Sequence, residues 1–271
     1  MRSLLLTTIA LLLPVAASAG VYLEITERDL DDAKDKPDVQ KLWFEEGRMR
    51  AEADTDSVQI FKNQTFYILD TEDKTYTVMD KASVEKMGDQ LSQVKKQMEA
   101  RMADLPPEQR AQIEQMMGKL GGDSAAKAAA KPPAKPKRTV TATSRTDKAA
   151  GQTCKVWEVI EDGVKEQELC VVAASALPGG DDVMKTLREL GSMFKSLAES
   201  MGAGASSELT NTWRDLESLN GLPVITREFE NGKVTQEARL TTIKNGSPPA
   251  TAFEVPAGYK SRTLDIGKLG E

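Results

Sequence analysis

The feature that most restricts how this chain can fold is a succession of short runs in which apolar and polar residues alternate, each closed by a turn signal. Val21, Leu23 and Ile25 fall on one face and Tyr22, Glu24 and Thr26 on the other, the period-two spacing of a half-buried strand. Leu42-Trp43-Phe44 leads through Glu46-Gly47 into Arg48–Glu52, and Val58–Phe61 turns at Lys62-Asn63-Gln64 into Thr65–Leu69. Asp70–Lys74 turns again into Thr75–Met79. Near the C-terminus Asn231-Gly232 separates Pro223–Glu230 from Lys233–Lys244, and Thr251–Val255 reads as a last strand. Asn-Gly between two such runs signals a two-residue hairpin turn of the primed type. Consecutive hairpins predict an antiparallel sheet with one face buried.

Cys154 and Cys170, the only two cysteines, belong to one of these hairpins. Thr153–Ile160 alternates, Glu161-Asp162-Gly163 turns, and Val164–Val172 returns. The two cysteines are symmetric about residue 162, so this register predicts that they stand opposite each other, within reach of a disulfide. The spacing is not Cys-x-x-Cys and no helix N-terminus follows to depress a thiol pKa, so the pair reads as a structural staple rather than a redox centre.

Two helical excursions interrupt the strands. The first spans about residues 83–120, with Val84, Met87, Leu91, Val94, Met98 and Met102 on one stripe, a break at Pro106-Pro107, and a second helix carrying Ile113, Met116 and Met117. The second spans about 181–219, with Val183, Leu187, Leu190, Phe194, Leu197 and Met201 in line and a shorter helix from Ser206 to Leu219. Spacings of three and four make each stripe an amphipathic helix face. The stripes read first as core that seals the sheet. Methionine also suits a surface that accepts varied apolar shapes. The segment 121–137, rich in Ala, Lys and Pro, reads as a disordered tether.

The first nineteen residues place the chain in a compartment. Met1-Arg2, the apolar run Leu4–Leu13 and Ala17-Ser18-Ala19 have the layout of a cleavable secretory signal peptide. The apolar run is too short for a membrane span, and no later stretch approaches the length needed. An exported, periplasmic protein of residues 20–271 is therefore expected. Its charge is −6 with Arg2 and −7 without it, which gives no general attraction to nucleic acid or anionic lipid.

Composition then removes chemistries. The chain contains no histidine, so Ser-His-Asp and Cys-His catalysis and most zinc sites are excluded. Asp54-Thr55-Asp56 resembles the opening of a calcium loop but lacks the glycine and closing glutamate. The run Asp29-Leu30-Asp31-Asp32 with Asp35 reads as a solvated loop. No residue set presents itself as catalytic, as metal-binding or as a holder of a cofactor. A carboxylate-based hydrolase would require two acidic side chains to converge in a cleft.

Several segments resemble an exported bacterial family known as a domain of unknown function, DUF4412. They are Lys41–Phe44 with Gly47–Arg50, Ile68–Asp70 with Lys74–Asp80, Gly151–Trp157, and Phe253–Tyr259. The pattern is also similar to periplasmic lipoprotein carriers of the LolA/LolB-like type. That resemblance implies an incomplete antiparallel barrel whose concave apolar face is lidded by helices and receives acyl chains.

The expected architecture is α+β: one domain, a curved antiparallel sheet of about 10–11 strands, and helices on or over its concave face. The expected function is non-enzymatic binding of a lipid or other hydrophobic or amphipathic ligand. Met87, Leu91, Met98, Phe194 and Leu197 are the expected lining residues. The competing reading is a cell-envelope interaction or scaffold protein whose helices bind a protein partner.

Overall fold

The structure is a computed structural model. It describes residues 20–262 apart from 33, 35, 54, 55, 84, 87, 88, 90–92, 94–136, 202–217 and 220, and side chains within 197–201 are also left aside. The expected signal peptide, the Ala/Lys/Pro tether as far as residue 136, the calcium-like Asp54-Thr55 and most of the 83–120 excursion lie outside the described residues. So does the greater part of the helix expected over 206–219. No helix among the described residues is long and apolar enough to cross a membrane.

Twelve strands form one sheet: β1 (Val21–Asp29), β2 (Asp38–Glu45), β3 (Arg48–Glu52), β4 (Ser57–Lys62), β5 (Thr65–Asp70), β6 (Thr75–Met79), β7 (Arg138–Ala149), β8 (Gln152–Glu161), β9 (Val164–Ala173), β10 (Gly221–Glu230), β11 (Lys233–Asn245) and β12 (Lys260–Arg262). Their spatial order is β12-β6-β5-β4-β3-β2-β1-β11-β10-β9-β8-β7. All neighbours are antiparallel except β12, which runs parallel to β6. The sheet is curved and unclosed, with β12 and β7 at its two edges. It is the bulk of the described structure, joined by one long helix, α1 (Gly180–Met201).

Local chemistry accounts for the meander. Glu46-Gly47, Asn63-Gln64, Ala150-Gly151, Asp162-Gly163 and Asn231-Gly232 all have positive φ at both residues. This is the backbone that a two-residue turn needs to match the twist of the flanking strands. Registers then line up one apolar row across six strands, Val21–Phe44–Met49–Phe61–Phe66–Met79. The hydrophobic stripe of α1 joins the same cluster through Val183, Met184 and Leu190, and the ring of Phe194 meets that of Phe66 edge-on at 5.7 Å. Asp181 and Asp182 lie in the first turn of α1, where negative charge complements the helix dipole.

The structure corrects several expectations. Thr251–Val255 is not a strand but a chain of turns, in which the N–H of Ala252 donates to Pro249 and that of Glu254 to Thr251. Pro248, Pro249 and Pro256 remove the donors that a ladder would use. The sheet does not keep one face dry and one wet, because Ala252 and Phe253 of that segment bury Val58, Ile60 and Leu69 on the face opposite α1. A strand absent from the sequence reading, β7, occupies one edge, and it is interrupted by an irregularity between Ala142 and Thr146.

The cysteines are bonded, with Cα atoms 5.3 Å apart. Their register differs from the symmetric one. The turn is centred between Asp162 and Gly163, so Glu161 pairs with Val164, and an irregularity between Val159 and Ile160 adds one more residue; Cys170 therefore faces Val156, and Cys154 lies two residues along on the diagonal.

Candidate functional site

An apolar concavity lies where four neighbouring strands are displaced by bulges. Between β1 and β11 the register shifts at Glu24/Ile25, and between β10 and β9 it shifts at Pro223/Ile225. Pro223 has no N–H to give to the ladder, so Val224 bulges out of register beside it. Bulges bend a sheet and re-aim side chains. Here they flank a cavity of about 410 Å³, within the range of small-molecule sites.

Its floor is Leu23 and Ile25 of β1, Leu42 and Phe44 of β2, Leu240 of β11, Leu222–Val224 of β10 and Leu169 of β9. Val183 and Leu187 of α1, with Leu177 and Leu219, supply the remaining apolar wall. Polar groups enter only at one end, as Gln167, Thr226 and Glu228. Gln167 and Glu228 are direct cross-strand partners there. α1 covers the Val21–Phe44–Met49 row, while Ile25 and Leu42 one step away stay half-buried.

The expected lining residues distribute differently. Phe194 packs on Phe66, and the α1 residues in the cavity wall are Val183 and Leu187, two to three turns earlier. Leu197 lies on α1 with its side chain outside the described set, and Met87, Leu91 and Met98 lie outside the described residues. Of the strand residues that form the floor, alternation in the sequence places only Leu23 and Ile25 on one face; Leu42, Leu169 and Leu240 lie within strand-like runs, and Leu222 lies just before one.

The opposite face of β7–β11 carries an ion-pair network. Arg227 donates to Asp147 at 2.7 Å and to Glu237 at 2.7 Å. Arg239 donates to Glu237 and to the carbonyl oxygen of Lys148. Because β7 lies three strands from β10, these contacts require the sheet to curl sharply at this edge. Glu168, 5% exposed, accepts from Arg145 at 2.6 Å and Lys165 at 2.9 Å. Burial alone would raise the Glu168 carboxyl, but those hydrogen bonds outweigh it and hold the group below its usual range. Glu237 is likewise lowered, burial being overcome by Arg239 and Arg227. Asp147 is lowered chiefly by the hydrogen bond from Arg227. These are carboxylates held charged, the reverse of what a general acid near neutrality requires. The Tyr22 hydroxyl, pushed up to about 12 by burial and by donating to Glu24 at 2.6 Å, is a hydrogen-bond donor across the physiological range. Among the described residues no group of three or more acidic or cysteine side chains is placed to hold a metal ion.

The family model described as "Domain of unknown function (DUF4412)" matches residues 109–259. No curated protein matches the sequence. Among solved structures, an uncharacterized conserved protein from Thermus thermophilus is similar over 91% of both chains, with 5% identity and a TM-score of 0.43. PNGF-II is similar over 92% of this chain and 31% of its own, with 9% identity and a TM-score of 0.36. The chain thus spans about a third of the PNGF-II structure.

Proposed function

This chain belongs to the DUF4412 family, and we propose that it is a non-enzymatic, exported binding protein that holds a hydrophobic or amphipathic ligand between its curved sheet and α1. The observation that carries the reading is the cavity of about 410 Å³ whose floor is strand leucines and whose wall includes Val183 and Leu187. Apolar side chains that face a solvent-open concavity of this size favour a hydrophobic guest that takes their surface out of water. The guest fits the chemistry of the wall: an acyl or alkyl chain gains about 0.8 kcal/mol for each methylene it buries. A carrier of the LolA/LolB-like type, with helices lidding a half-barrel in the periplasm, is the form of this function that the sequence resemblance suggests.

Dye uptake tests the proposal. The full chain should bind the neutral fluorophore N-phenyl-1-naphthylamine with enhanced emission. Leu42→Trp, which places an indole in the floor, should abolish that signal while the fold persists by circular dichroism. Undiminished uptake by a folded Leu42→Trp protein would move the site elsewhere.

A further inference from the structure

The wall of the cavity is neutral, but the strands that form its floor continue past it into a set of carboxylates on the same face. Alternation along β1 carries Leu23 and Ile25 on to Glu27 and Asp29. The registers set Glu27 opposite Asp38 of β2, and both Asp29 and Glu228 opposite Gln236 of β11. Glu228 itself reaches the cavity lining. Between the cavity and the hairpin tip, this face of β1, β2, β10 and β11 holds no lysine or arginine. Arg28 and Arg227 stand on the other face with Glu237, and Arg227 is committed to Asp147 and Glu237. Lys165 of β9 is taken by Glu168 and lies over the ring of Phe229. Lys233, at the tip, is taken by Asp31, and Lys34 and Lys36 stand exposed in the loop beyond Asp38, outside the strands that form the floor. Among the described residues, Glu27, Asp38 and Glu228 form no ion pair, and Glu228 and Asp38 are exposed.

A negative rim at the polar end of an apolar slot selects by head group. We propose, resting on the binding function above, that the cavity takes linear amphiphiles with a cationic head, such as a protonated long-chain amine or a quaternary ammonium. The chain lies over Leu23, Leu42 and Leu240, and the head lies among Glu228, Glu27 and Asp38 with Gln167 beside it. Anionic amphiphiles of equal length are disfavoured by the same carboxylates. Exposed charge pairs each contribute little, so three together amount to a preference of about tenfold at low ionic strength.

The experiment is competition against N-phenyl-1-naphthylamine on the full chain, using dodecyltrimethylammonium, dodecanoate and dodecanol. The ammonium should displace the dye at about one-tenth the concentration of the carboxylate in low salt, and the gap should close at about 0.5 M salt. In Glu27→Gln/Glu228→Gln the gap should shrink several-fold when the ammonium and carboxylate affinities are each read against that of dodecanol in the same variant. Equal or tighter binding of dodecanoate, or a preference that survives the double substitution, overturns the head-group assignment and leaves the apolar cavity standing. Failure of dodecanol itself to bind refutes the binding function, and this inference with it.

Discussion

Replacing Cys154 and Cys170 together by alanine isolates the stabilising role of the staple from any role in binding. The bond closes a loop with a sequence separation of 16. In the chain-entropy account, opening such a loop gives the denatured ensemble about 10 cal/mol/K, or roughly 3 kcal/mol at 25 °C. Both side chains are almost fully buried, at 1% and 2% exposure, so their truncation adds a packing loss on top of the entropy. With a urea slope of about 3 kcal/mol/M, at the upper end for small proteins, the unfolding midpoint should fall by about 1 M. The melting temperature should drop by about 6–12 °C for a domain of this size. Alternation along β9 turns Cys170 away from the cavity, which Gln167 and Leu169 line from the other side. Dye affinity under native conditions should therefore be unchanged. A midpoint shift below about 0.2 M, or a loss of binding in a protein that is still folded, would refute the assignment of the pair as a remote structural staple.

Three further outcomes follow from the same structure. Glu168→Gln removes the charged acceptor shared by Arg145 and Lys165 and should cost about 2 kcal/mol at neutral pH, measured by urea denaturation. The folded-state pKa values of Asp147, Glu168 and Glu237 are depressed, so their contribution is complete above their unfolded values and is lost as pH falls through the folded ones. Stability should be level from about pH 7 to 5 and decline below about pH 4, with a shallower decline in Glu168→Gln; a protein most stable at pH 3 would contradict the network. Gly179 has φ +59°, and a Cβ there would sit 2.0 Å from Cγ2 of Val21. Gly179→Ala should lower stability by more than about 2 kcal/mol through clash and left-handed backbone together, which thermal unfolding would register.

The parts of this fold that could be read from sequence were those with a local cause. Asp162-Gly163 and Asn231-Gly232 adopt positive φ because those residue types tolerate it, so the hairpins were visible from the chain alone. α1 was visible for a similar reason, since the spacing of Val183, Leu187, Leu190 and Phe194 is intrinsic to a helix face. β7 was not, because the irregularity at Ala142–Thr146 breaks its alternation and its Thr, Ser and Arg side chains are polar on both faces. Thr251–Val255 misleads in the other direction: Ala252, Phe253 and Val255 are apolar because they cover the sheet, not because they extend it. Bulges are tertiary features with weak sequence marks. The one at Val159/Ile160 adds to the shift that the Asp162-Gly163 turn gives the cysteine register, and those at Glu24/Ile25 and Pro223/Ile225 flank the cavity. The site draws one residue from β11, two each from β1, β2 and β9, and five from β10, so no continuous segment announces it. Methionine stripes drew attention to the helices, whereas the described floor is built by strand leucines.

Native mass spectrometry of the full chain, taken directly from cells and again after solvent extraction, addresses the binding claim most directly. The account predicts a mass increment of one hydrophobic molecule that extraction removes, and its absence in folded Leu42→Trp. A native chain that is uniformly free of ligand and still refuses an added alkyl alcohol would contradict it.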